Sequence, residues 1–387
     1  MTSRRLWIPL FVLLGIYFFW DRALPGIVEP LINTVDDHED WVVGDEALAL
    51  HASIPVADLH ADPLLWKRDW LSPGGRGHTD LPRLQQGGVA LQILTAVTKS
   101  PAGQNYLSNS ADSDTIAYLT VAQLWPIETW DSPFARAIYQ AEKLADWDER
   151  AGDTFRIVRS RQDLEALLAA REKGQPVVGG VFGIEGAHAL EGQLENFEIL
   201  EALGMRVIGL THFFDNRLGG SLHGESGEGL TDFGRSVVTE ADRRGVVIDV
   251  AHASPEMVRQ VLETTRRPVI LSHGGFKGLC NTGRNLDDEL MQELARHGAL
   301  IGVGFWDGAV CDYSPEGVVK AIRYGIELLG VDHIALGSDY DGGTRILFDA
   351  GELPVLTQTM LDQGMDESDI RKVMGENAIQ FFRTNLP

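Results

Sequence analysis

Basic charge and cysteine are what this sequence has least of. Lys and Arg number 33 against 56 Asp and Glu, which leaves a formal net charge of −23 over 387 residues. A phosphate backbone needs a basic face, so nucleic acid is excluded as a partner. The acidity fits a soluble enzyme or one that meets cationic or zwitterionic small substrates. Two cysteines, Cys280 and Cys311, make neither a disulfide framework nor a Cys-x-x-Cys site, and stand either unpaired or as a single bridge. Any metal must then be held by His and carboxylates. No Gly-x-Gly-x-x-Gly follows a first strand, which removes the support for a dinucleotide-binding open sheet.

Long apolar runs are scarce too. One of 15 residues, Leu6–Trp20, follows Arg4-Arg5 and is closed by Asp21-Arg22. A spanning helix needs about 20 residues, whereas the core of a signal peptide takes about 7–15. No Ala-x-Ala cleavage site follows. Residues 1–24 therefore read as an uncleaved signal anchor with its N-terminus in the cytoplasm, because the positive charge precedes the run. A cleaved signal is the next reading and an N-terminal packing helix the third. Ser3-Arg-Arg5 also resembles a twin-arginine signal, though the residues after it match weakly. Either membrane reading puts the catalytic part outside the cytoplasm, anchored through the N-terminal segment or secreted.

What the sequence does have is a core and a regular alternation. Hydrophobic residues make up 44%, enough for one large domain or two ordinary ones. Residues 25–48, with two prolines and the acidic run Asp36–Asp40, look like a connector. From residue 49 onward, eight strand candidates appear, most of them followed by a helical stretch: Ile54–Leu59, Val89–Val97, Val177–Ile184, Val207–Leu210, Val246–Val250, Val269–Leu271, Leu300–Phe305 and His333–Leu336. Helical spacing or capping marks Ala137–Glu149, Leu194–Leu203, Pro255–Thr264, Asp287–Arg296, Ser314–Leu329 and a last helix from Ser368 to about Phe382. The segment 98–176 is the least readable. Strands alternating with helices imply βα units on a parallel sheet, and eight of them imply an α/β fold of the (β/α)8, TIM-type barrel class, with the N-terminal hydrophobic anchor outside it and the barrel over residues 49–387.

In such a barrel the active-site groups stand at the C-terminal ends of the strands. That is where His60, Asp62, Glu185, His212, His252, His273 and Asp339 fall. His60 and Asp62 are two residues apart on an extended chain and so point to one side. Three His and the carboxylates suffice for two metals, and imidazole with carboxylate suits zinc. We assign His60 and Asp62 to one ion, His252 and His273 to the other, and Glu185 to both, within Gly183-Ile-Glu-Gly186 where glycines allow close approach. Two ions make hydroxide available near neutral pH. Asp339 is placed as the proton shuttle, with Asp341 as the fallback. His212 is placed to donate to the substrate carbonyl or oxyanion. Arg284, on the loop after the sixth strand, is placed to grip a substrate carboxylate. Many barrel amidohydrolases bridge their metals with a modified Lys, but no Lys ends a strand here.

The set resembles the membrane dipeptidase family, the renal dipeptidase-like zinc peptidases. The matching pieces are Asp58-Leu-His-Ala-Asp62, Gly183-Ile-Glu-Gly186, Leu210-Thr-His212, Ile248-Asp-Val-Ala-His252, Ser272-His273 followed by Arg284-Asn285, and Gly337-Ser-Asp339, in the family's order. The resemblance implies a binuclear zinc barrel that hydrolyses dipeptides, some with a D-residue on the C-terminal side. It also implies the same roles: five ligands, two Zn2+ bridged by Glu185, Asp339 as acid/base, and His212 and Arg284 on the substrate. Some members open β-lactams; the alternative reading is another barrel amidohydrolase acting on an acylated amino acid, a cyclic amide, an ester or a β-lactam. The chain is compatible with a homodimer. It departs from animal members at Phe213-Phe-Asp-Asn-Arg217, and Ile379–Pro387 lacks the hydrophobic tail that their lipid anchor needs.

Overall fold

The computed structural model describes residues 24–387. Eight parallel strands close into a barrel: β1 (Val56–Ala61), β2 (Val89–Val97), β3 (Val178–Glu185), β4 (Met205–Gly209), β5 (Val247–Asp249), β6 (Ile270–Gly274), β7 (Leu300–Val303) and β8 (Ile334–Leu336). Closure is made by β8 against β1, with Leu336 opposite Asp58. A further short strand, Phe155–Ile157, adds to β3 outside the ring. All eight strands lie where the hydrophobic pattern puts them, with ends within three residues of the expected ones. The cause is composition: both faces of a parallel barrel strand are covered, so each strand reads as a continuous apolar run. One buried cluster takes Ala57, Leu91, Val181, Val207, Val247, Ile270, Leu300 and Ala335, one from each strand, together with Ile379 and Phe382 near the C-terminus. A set drawn from every strand is what a filled lumen requires.

The helices follow their caps. Pro255–Thr264 has the expected bounds, with the Ser254 hydroxyl accepting from the Met257 N–H. Pro315–Leu329 begins the same way at Ser314. The last helix runs from Glu367 to Asn385 but passes through a π-turn at Lys372–Glu376. There the barrel wall comes close, and a Cβ on Gly375 would lie 2.0 Å from the Pro55 carbonyl oxygen. The segment 98–176 contains the helices Thr115–Ala122, Pro133–Ala151 and Arg161–Glu172.

The Leu6–Trp20 run lies outside the described residues. Among the described residues no helix is long and apolar enough to cross a membrane. Residues 25–48, read as a connector, carry structure of their own. A helix spans Leu24–Ile32, and Thr34–Val35 pairs in parallel with Arg345–Ile346 beyond β8. Buried Glu29 holds this helix to Arg68 and Arg76, and the Asn33 side-chain oxygen accepts from the Gly343 N–H at 2.9 Å.

Cys280 and Cys311 form a disulfide 31 residues apart, joining the loop after β6 to the loop after β7. Cross-linking a loop of that length removes chain entropy from the unfolded state worth about 3–4 kcal/mol. The double variant Cys280→Ser, Cys311→Ser is expected to lose that much in denaturant unfolding of the metal-free protein. A loss below about 1 kcal/mol would mean that the two loops hold together without the bridge.

Candidate active site at the barrel mouth

The expected residues converge on one rim, and all are buried: His60, Asp62, Glu185, His212, His252, His273, Arg284 and Asp339. Glu185 is their hub. Its Oε1 lies 3.6 Å from His60 Nε2, 3.2 Å from His252 Nε2 and 3.4 Å from His273 Nε2. Its Oε2 lies 3.4 Å from His212 Nε2. Asp62 Oδ2 is 3.4 Å and Asp339 Oδ1 3.9 Å from His60 Nε2. Asp62 is also held by the Thr95 hydroxyl from β2.

The strands position these groups, and the loops aim them. Glu185 ends β3 and His273 lies within β6. His212 and His252 were expected at strand ends, but β4 and β5 stop at Gly209 and Asp249 and leave both on the following loops. His252 has φ 63° and Asp339 φ 60°, left-handed values that a strand cannot contain and that side chains rarely adopt. Strain of this kind persists only where the surroundings impose it, and active sites are a common place for it. Gly186, after Glu185, has φ 87°, and a Cβ there would meet the His188 ring at 2.4 Å.

Burial and mutual charge set the electrostatics. Burial alone would push His60 down, but the carboxylates of Asp62 and Glu185 outweigh it and hold the imidazole up at about 10. Burial pushes Asp339 well above the usual carboxylate range and raises Glu185. Burial also pushes His252 and His273 well below the usual imidazole range, so both rings are neutral.

The donor set fits metal. His252 Nε2 and His273 Nε2 face each other at 2.9 Å, both beside the same Glu185 oxygen. Ser272 donates its hydroxyl proton to Asp249 at 2.5 Å, so it accepts from His273 Nδ1 at 2.8 Å. That leaves the His273 Nε2 lone pair aimed at Glu185, and acceptors crowded on one point call for a cation. Among the described residues, ligand atoms of three sets lie within 4.8 Å of one another: His60, Asp62 and Glu185; Glu185, His212 and His252; His60, Asp249 and His273.

Asp249 is the residue that sequence reasoning missed. It stands inside the quoted Ile248-Asp-Val-Ala-His252, and a carboxylate in a buried strand was the available signal. It accepts from the backbone N–H groups of Ala251 and Ser272 as well as from the Ser272 hydroxyl. Asp341 does not face the site. It is fully buried and bound by Arg68, by the Thr79 hydroxyl at 2.6 Å and by the His78 N–H at 2.6 Å. Arg284 lines a small chamber at the cluster, donates from Nη2 to the His273 carbonyl oxygen at 2.6 Å and lies 5.5 Å over the Trp306 ring.

A parallel barrel with clustered imidazoles and carboxylates at its mouth defines a metal-dependent hydrolase type of site. The comparisons with known proteins make the class specific. A profile of the membrane dipeptidase family, peptidase family M19, matches residues 44–385, and the chain belongs to that family. It is 27% identical over 372 residues to dipeptidase 3 of Mus musculus, which covers 88% of this chain and 66% of the mouse protein, just under two thirds of its length. Among solved structures it is similar to a metallo peptidase from Rhodobacter sphaeroides, whose structure holds a phosphinate mimic of the dipeptide L-Ala-D-Ala. The identity is 25%, the coverage 86% of this chain and 99% of that one, and the TM-score 0.71. An amidohydrolase from Pseudomonas aeruginosa shares the fold, with 24% identity, 88% and 99% coverage and a TM-score of 0.67.

Proposed function

We propose that the protein is a binuclear zinc dipeptidase. The observation that carries this reading is the position of Glu185, one carboxylate at the meeting point of the His60–Asp62 side and the His252–His273 side. His60 and Asp62 would hold one Zn2+, His252 and His273 the other, and Glu185 both. When bound, zinc supplies Lewis acidity to the amide carbonyl and to the attacking water.

The chain's own residues do the rest. His212 stays on the substrate in this reading, because it alone faces Oε2 while the other three imidazoles share Oε1. Its Nδ1 contacts the Lys99 carbonyl oxygen at 3.1 Å, which fixes the ring. Arg284 is a buried cation lining the chamber, and a substrate carboxylate would compensate it bidentately. Asp339 moves the proton from the attacking water to the leaving amine, a role supported by its approach to His60 at 3.9 Å. Arg4-Arg5 before Leu6–Trp20 favours an anchor with the barrel outside the cytoplasm, and the disulfide supports an oxidising compartment.

The test is zinc content together with hydrolysis of L-L and L-D dipeptides by the full chain. About two Zn2+ per chain with turnover is the expected result. Two Zn2+ without dipeptide cleavage would transfer the site to another amide or a β-lactam. Asp339→Asn is expected to keep both ions and to lower kcat by about 10²–10⁴, with little change in KM. A kcat within threefold of the parent enzyme would remove Asp339 from the proton path.

A further inference from the structure

Beside the cluster lies a second cavity of about 440 Å3, against about 40 Å3 for the chamber at the cluster itself. The two meet at Gln104, Glu185, His212 and Gly342-Gly343. The walls of the larger one are mostly apolar, with Ser100, Gln104, Thr115 and Tyr118 as the polar members besides Glu185 and His212. Val28 and Ile32 come from the N-terminal helix, Trp66 from the turn after β1, Val97 from the end of β2, and Ile116 and Leu119 from the helix Thr115–Ala122. Among the described residues its only carboxylate is Glu185, on the side shared with the cluster, and no Lys or Arg lines it.

Direction follows from Arg284, which lines the small chamber and not the large cavity. A dipeptide whose carboxylate meets Arg284 and whose amide lies at Glu185 points its amino-terminal residue the other way, into the larger cavity. Part of that wall lies outside the family match, which begins at residue 44. It is nevertheless fixed in place. Glu29 pairs with Arg68 and Arg76, and Asn33 accepts from Gly343 on the loop that carries Asp339.

We infer that this cavity is the subsite for the amino-terminal residue of the substrate, and that it selects dipeptides with a large apolar side chain there, of the Leu, Met or Phe class. The inference rests on the dipeptidase reading and names its substrate class. A space of this size suits a whole ligand group, since ligand pockets start at about 300 Å3. Gly or Ala would leave most of it to water against mostly apolar walls. A charged side chain would lose its hydration against a wall whose one carboxylate, Glu185, is taken up by the metal ions in this reading.

The experiment compares kcat/KM of the zinc-loaded full chain on X-L-Ala and X-D-Ala dipeptides, with X as Gly, Ala, Leu, Phe or Glu. Leu and Phe are expected to exceed Gly by at least about 30-fold, within what a few buried methylenes achieve, and to exceed Glu by more. Val28→Trp and Ile116→Trp fill the cavity from two different helices. Each is expected to reduce the Leu-to-Gly ratio at least about tenfold, chiefly through KM for the Leu substrate. A series flat within threefold in the parent enzyme, or a ratio that neither variant changes, would overturn the inference and leave the dipeptidase reading standing. Cleavage of no member by a chain holding two Zn2+ would overturn both.

Discussion

Glu185→Ala is expected to strip the metal centre and abolish peptide hydrolysis. Four imidazoles lie within 3.6 Å of one or other Glu185 oxygen, so this one carboxylate serves both halves of the cluster. Losing the shared ligand forfeits Lewis-acid stabilisation worth several kcal/mol, on the order of 10³–10⁴ in kcat/KM. The fold should survive. Burial raises the Glu185 carboxyl, so as an ionised group it is a cost to the metal-free protein rather than a support. The variant should therefore show unchanged circular dichroism, fewer than two Zn2+ per chain and no turnover. Two retained Zn2+ with activity within tenfold of the parent would sink the bridging role.

Asp341→Ala is expected to have the opposite signature, a large loss of stability with the metal ligands intact. Asp341 is fully buried and joins three elements: Arg68 after β1, His78 and Thr79 before the next helix, and its own loop after β8. Its own backbone N–H also donates to His78 Nδ1 at 2.9 Å. That arrangement needs neutral His78, whose pKa burial pushes down to about 4. Removing one member of a buried pair leaves the other uncompensated, a cost of about 3–5 kcal/mol. For a chain of this length that is a fall in Tm of about 5 °C, from the usual entropy of unfolding per residue. Because Asp341 stands two residues from Asp339, kcat should also fall, on the order of 10²-fold for a misplaced group. A variant as stable as the parent would mean that Arg68 is satisfied by Glu29 alone.

The same group has a pH signature. Burial pushes the Asp341 carboxyl up, but the Arg68 guanidinium and the Thr79 hydroxyl outweigh it and hold it below the ordinary value. A carboxyl lowered on folding adds stability above its unfolded pKa of about 3.9, and that stability is lost as pH falls through the lower folded value. The stability difference between the parent and Asp341→Ala should therefore be full above about pH 4 and narrow progressively as pH falls below it.

The strands and the reactive side chains were legible because both rest on local pattern. A buried parallel strand must be apolar along its length, and a group that reaches the barrel mouth must follow that run directly. Hence His60, Asp62, Glu185, His212, His252, His273 and Asp339 stood out from spacing alone. The resemblance at Leu210-Thr-His212 and Gly337-Ser-Asp339 named the family before any coordinate did. The helix caps Ser254 and Ser314 were readable for the same reason, since a cap acts on its own first turn.

What only the tertiary structure decided depends on partners far away in the chain. Cys280 and Cys311 had two open states until the loops after β6 and β7 were seen side by side. Asp341 looked like a spare proton shuttle until Arg68 and Thr79, more than 260 residues earlier, claimed it. Asp249 was invisible as a positioning group because its work is done through Ser272, 23 residues on. Residues 25–48 read as a connector because their helix and short strand take their meaning from Arg68, Arg76 and Arg345. By itself the sequence determined the barrel and the identity of the residues at its mouth, which follow from periodicity and hydrophobic burial. The folded chain alone decided which of those residues touch, which are held as neutral or charged, and what walls the cavity beside them, because contact, burial and field are properties of the assembled neighbourhood and not of any one stretch.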